Sequence, residues 1–162
     1  MTTNAPVSHL VDAQGLESDA KIDLWEIRLR GVPTIFRFWN GVTREWQGET
    51  YEGLPCQLSG EARNSEGQQS RPSLTVVNPE KVFGVFAAAG YFDLAEIIRK
   101  RVLQAHFVGN VNEYEQRVWI VSRPSSVLSQ TMSLELRSPL DMPSHKTPAR
   151  TFSPPEFPFV TI

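Results

Sequence analysis

The side chains able to do chemistry are few and scattered. His9, His106 and His145 stand far apart with no i, i+4 pair, and Cys56 is the single cysteine. A metal site of the zinc type needs three or four convergent ligands, so this set predicts no bound metal and no cofactor. No G-x-S-x-G, H-E-x-x-H or P-loop pattern occurs, and the Ser and Asp residues have no recognisable base beside them. A hydrolase using His106 is the enzyme reading that remains; the expectation is a protein that is not an enzyme.

Two further groups of residues suggest binding. Arg99-Lys100-Arg101 offers contacts to phosphate, but in a strand Lys100 points away from its two neighbours, so the three form no single patch. They read better as a solvated or interface-facing stretch. Trp25, Trp39, Trp46, Trp119 and Tyr51 offer faces on which a sugar could stack. Trp25 and Trp119 sit inside alternating strands, where core packing accounts for them. Trp39 and Trp46, flanking Asn40-Gly41, are the candidate surface aromatics of an alternative reading, a carbohydrate- or receptor-binding module.

The elements that position these residues read mostly as β. Ile22 to Arg30 alternates, with Trp25, Ile27 and Leu29 on one face and Glu26, Arg28 and Arg30 on the other, as in a half-buried strand. Thr34 to Trp39 follows, and Asn40-Gly41 predicts a hairpin with Val42 to Trp46 returning antiparallel. Gln47-Gly48-Glu49 turns again, and Pro55 to Ala62 places Cys56, Leu58 and Gly60 on one face. Leu74 to Val77 is β-branched and apolar, with Pro72 at its start. Asn78, Pro79 and Glu80 then form a helix-start signal, and the run with Val82, Val85, Phe86 and Ala89 on one face ends at Gly90. Glu96 to Val108 reads as one long strand near an exposed edge. Arg117 to Arg123 is another, broken by Pro124-Ser125-Ser126. Leu128 to Arg137 puts Leu128, Met132, Leu134 and Leu136 on a single core side.

Composition agrees with one domain having a real core. A chain of 162 residues with 40% apolar side chains is the size of a single domain. Its net charge of −2, from 16 basic and 18 acidic groups, argues against duplex DNA or an anionic membrane as the main partner. One cysteine excludes an internal disulfide. The start, Met1-Thr2-Thr3-Asn4-Ala5-Pro6, has neither a basic region nor an apolar core of a secretory signal, so a soluble protein made in the cytoplasm is expected. Residues 1–20 read as a polar arm, residues 21–138 as the β domain, and residues 139–162 as a Pro-rich arm carrying six of the twelve prolines.

An ordered set of short stretches resembles the minor tail protein L family of lambda-like tailed phages. These are Leu24-Trp25-Glu26-Ile27, Trp46-Gln47-Gly48 with Tyr51, Arg71-Pro72-Ser73-Leu74-Thr75-Val76 with Asn78, Asp93-Leu94, Trp119-Ile120 with Leu134, and Pro148-Ala149-Arg150. The resemblance implies a mainly β fold, a tail-tube or hub-like β-barrel or sandwich of about seven to eight strands with one flanking helix. It implies a virion component of the tail tip or baseplate hub, assembled in the host cytoplasm and self-associating into a ring. A trimer is favoured, with a hexamer the alternative. The expected neighbours are the distal tail or tail-tube protein and the central hub, fibre or spike protein, with no membrane and no specific nucleic acid. Family members continue into a cysteine-rich domain that looks like an iron–sulfur site; here the residues after Arg150 contain no cysteine, so no cluster is expected. In the Pro-rich arm, Arg150, Phe152, Phe157, Phe159 and Ile162 are the expected assembly contacts.

Overall fold

The computed structural model describes residues 5–15, 18–60, 71–78, 81–127 and 130–139. The expected arm contacts Arg150, Phe152, Phe157, Phe159 and Ile162 lie outside this set, as does Leu128. A short helix α1 (Val7–Gln14) precedes strands β1 (Lys21–Arg28), β2 (Ile35–Trp39), β3 (Arg44–Trp46), β4 (Glu49–Gly53), β5 (Cys56–Ser59) and β6 (Ser73–Val77). Helix α2 (Val82–Ala88), strand β7 (Glu96–Leu103), helix α3 (Gln104–Val108), and strands β8 (Glu115–Val127) and β9 (Thr131–Arg137) follow. The strands form one sheet in the order β3-β4-β2-β1-β7-β8-β9-β6-β5. No helix among the described residues is long and apolar enough to cross a membrane.

The sheet curls around its core without closing. Phe38 on β2 and Leu58 on β5 are far apart in strand order, yet both belong to the apolar cluster of Trp25, Ile27, Leu74, Val121 and Leu134. Strands at the two ends of the sheet are thus brought to one core, while β5 pairs only with β6 among the described residues. The fold is mainly β, as expected, with nine strands among the described residues and, among these, an open seam where a barrel would close. Met132, Leu134 and Leu136 on β9 are fully buried, as their alternation predicts. Each such side chain contributes roughly 1.5–3 kcal/mol.

Several local expectations are corrected. The hairpin lies at Gln47-Gly48, joining β3 to β4, with both residues at positive φ (53° and 76°) as a two-residue turn of the primed type requires. At Asn40-Gly41 the indole of Trp39 folds over Gly41 so closely that a Cβ there would overlap it. The chain therefore cannot fold straight back on β2. Instead β4 pairs with β2 in parallel. Helix α2 buries Phe83, Phe86 and Ala87, the i, i+3, i+4 set, and leaves Val82 and Val85 outward; Asn78 sets that phase by accepting a hydrogen bond from the Phe83 amide at 3.1 Å.

The long strand ends at Leu103, where α3 begins, and β7 lies in the middle of the sheet between β1 and β8. Proline 124 does not end β8. The strand passes it through two register shifts, between Val121 and Arg123 and between Pro124 and Ser126, because bulges take up residues that cannot donate to the ladder. Residues 7–14 of the expected arm are helical. The Asp12 carboxylate accepts from the Asp19 amide at 2.7 Å, and Asp19 in turn accepts from the Ala105 amide at 2.8 Å, which ties α1 to the start of α3.

Candidate assembly surface

Strand β1 is buried on both faces, and its second face holds a cluster of charged and polar side chains. The hairpin β3–β4 and helix α3 cover that face, with Leu24, Trp46, Tyr51, Val102 and Phe107 as an apolar rim. Inside it Glu26, only 2% exposed, accepts from Lys100 Nζ at 2.5 Å and from the Tyr51 hydroxyl at 2.7 Å. Arg28 and Arg37 approach the same carboxylate at 3.4 and 3.8 Å. Burial alone would raise the Glu26 pKa, but the Lys100 and Tyr51 hydrogen bonds and the charges of Lys100 and Arg28 outweigh it and hold the carboxyl below its ordinary range. Burial and the bond to Glu26 push the Tyr51 hydroxyl up. The cluster is a pin: Lys100 comes from the central strand, Tyr51 from the hairpin, and Glu26 joins them.

The basic trio therefore splits as strand alternation requires. Lys100 serves Glu26, while Arg99 and Arg101 point to the other face, where Arg101 forms a two-pronged pair with Asp23 at 2.8 and 3.1 Å. Arg99 lies 4.0 Å from the same carboxylate and over the Trp119 ring. These side chains border a cleft of about 440 Å³ at the open seam, between the start of β1 and strand β5, with Trp25, Trp39, Asn40 and Gln57 around it. Cys56 lies on its wall, and burial, with the Asp23 charge adding, pushes the thiol up to about 11. Such a thiol stays protonated near neutral pH and is a poor nucleophile.

A second exposed feature is apolar. On α1, Val7, Leu10 and Val11 are 74%, 54% and 64% exposed at i, i+3, i+4 spacing, while His9 turns inward.

The family model for phage minor tail protein L matches residues 35–155. The chain belongs to that family. Tail tip protein L of Escherichia phage lambda is 28% identical over 151 residues, taking in 83% of this chain and 65% of the lambda protein. The chain thus spans a little under two thirds of that relative's length. A chain from the virion of a native gene transfer agent particle superposes with a TM-score of 0.63 at 15% identity, over 84% of this chain and 46% of that one. At that identity the likeness is one of fold. Membership of the minor tail protein L family makes the protein a structural component of a phage tail, carried in the virion.

Within this L-family chain the residues considered for other chemistry are dispersed. Trp46 is 1% exposed beneath the hairpin, and Trp39 packs on Phe107 at 4.9 Å and donates its indole N–H to the Val42 carbonyl. They do not form a paired surface platform. His106 sits on α3 with its Nδ1 3.9 Å from Glu113, and His9 is buried beneath α1. Among the described residues no three metal-ligating side chains come together. The Glu26 cluster was the feature that sequence reading missed: Glu26, Tyr51 and Lys100 are far apart in the chain, and a strand covered on both faces looks the same in sequence as one whose polar side meets water.

Proposed function

We propose that this protein is a ring subunit of the phage tail tip or baseplate hub, joining the distal end of the tail tube to the central hub, fibre or spike protein. The observation that carries this reading is the L-family match over residues 35–155, which extends across most of the sheet. Three features of the surface suit it. Among the described residues the sheet ends at β3 and β5, α1 presents an apolar stripe, and the seam holds a charged cleft. Open edges and apolar stripes are liabilities in an isolated protein and docking surfaces in an assembly. A trimeric ring is favoured, with a hexamer the alternative, and assembly takes place in the host cytoplasm. The reading assigns no chemistry and no cofactor.

The Pro-rich segment 139–162 acts in this reading as an assembly arm, with Arg150, Phe152, Phe157, Phe159 and Ile162 contacting a neighbour. Burying three such apolar side chains would contribute on the order of 5 kcal/mol to association, and prolines reduce the entropy lost when the arm docks. Truncation after Leu140 tests this. A folded protein with a nearly unchanged melting temperature that fails to enter tails is the expected result. An unfolded product would assign the segment to the domain core, and normal incorporation would remove the arm from assembly.

A further inference from the structure

We propose that helix α1 is an acid-released latch, docked beside α3 while His9 is neutral and let go when that side chain takes up a proton. The helix is held by a histidine and not by its apolar residues. Val7, Leu10 and Val11 face outward, and His9, 5% exposed, is the one residue of α1 that is buried. Its ring nitrogen Nε2 is enclosed with no hydrogen-bond partner, and so is Nδ1 of His106 on α3, which has Glu113 at 3.9 Å. A neutral imidazole needs one donor satisfied and can leave its other nitrogen bare. An imidazolium donates from both nitrogens, and a buried charge that lacks an acceptor gives up its hydration for nothing.

The charged and titratable groups around His9 come from four elements: Asp12 from α1 itself, Lys21 from β1, His106 from α3 and Glu115 from β8. Burial acts most strongly and lowers the His9 pKa; Glu115 raises it, Lys21 and His106 lower it, Asp12 raises it, and the result lies below the ordinary 6.5. The docked helix therefore prefers the neutral ring. Release restores the ordinary value, so docking is complete above that pH and weakens as pH falls through it toward the docked-state value. The other ties of α1 act in a different range. The Asp12 carboxylate accepts from the Asp19 amide and the Ser18 hydroxyl, and these bonds hold it below its ordinary 3.8. They stay intact while His9 titrates. The stripe of Val7, Leu10 and Val11 rides on this latch, and its place on the surface depends on the charge of one side chain.

The test is hydrogen exchange of the full chain at about pH 7.5 and about pH 5, either side of the histidine range, read by peptide mass spectrometry and corrected for the intrinsic rate at each pH. Protection over α1 should fall severalfold at the lower pH while that over β9 holds. His9→Leu and His9→Gln, neither of which titrates, should each keep α1 protected at both pH values. His106→Gln should retain the fall, which places the proton on His9. Equal protection of α1 at the two pH values in the unsubstituted protein overturns the proposal, as does absence of protection at the higher one. So does a fall that β9 shares, a fall that vanishes in His106→Gln, or a pair of His9 variants in which the fall persists or α1 is unprotected throughout.

Discussion

The two faces of β1 are held by opposite means. One face packs Trp25 and Ile27 into a cluster of apolar side chains that reaches across the curled sheet to Leu74 and Leu134. The other face holds Glu26 among Lys100, Tyr51, Arg28 and Arg37 beneath the β3–β4 hairpin. Apolar packing is non-directional and indifferent to pH; the ion cluster fixes the hairpin in one position and depends on every member being present and on Glu26 being ionised. The sheet thus gains its stability on one side and the placement of its covering hairpin on the other.

The largest effect should come from the apolar side. Leu134→Asp puts a charge at a fully buried position, at a cost of several kcal/mol against a total stability of roughly 5–15, and should yield no folded protein. A soluble variant with an unchanged melting temperature would break the inside and outside assignment of β9. Next is the pin itself. Glu26→Ala leaves Lys100, its side chain only 17% exposed, without its anion, while Arg37 keeps Glu49 at 3.0 Å and Arg28 keeps Glu96 at 3.5 Å. A loss of about 3–5 kcal/mol in urea unfolding is expected. The double variant Glu26→Met, Lys100→Met should lose much less, because no charge is stranded. Equal losses from both variants would mean that shape, not charge, fixes the hairpin.

Tyr51→Phe removes one donor to a buried carboxylate and should cost about 1.5–3 kcal/mol, with little further loss when combined with Glu26→Ala. Acid sharpens the same contrast. The Glu26 pKa lies below the ordinary 4.5, so its stabilisation is complete above that pH and is lost as pH falls through the folded-state value. Hydrogen exchange should show the amides of β4 losing protection in that window before those of β9; simultaneous loss would merge the two regions into one unit. The smallest effect concerns the turn. Gly48→Ala meets no atom within 4 Å but must hold φ at +76°, costing about 1 kcal/mol.

Where sequence reading succeeded, one local rule decided the outcome. Met132, Leu134 and Leu136 alternate with polar neighbours, and the pleat alone buries them. Lys100 was separable from Arg99 and Arg101 for the same reason. Where reading failed, a distant residue decided. Asn40-Gly41 has the composition of a hairpin, but the Trp39 ring held by Phe107 occupies the space, and α2 takes its phase from Phe83 because Asn78 caps that amide. The Glu26 cluster unites residues from three elements, and no spacing rule joins them. The cleft depends on where the curl of the sheet leaves β5 relative to β1, which no single strand encodes.

Antibody-gold labelling of purified phage particles against this protein tests its proposed position in the virion most directly. Gold at the end of the tail farthest from the head, and nowhere else, is the expected result. Label along the tube, at the head or absent from intact particles would contradict it.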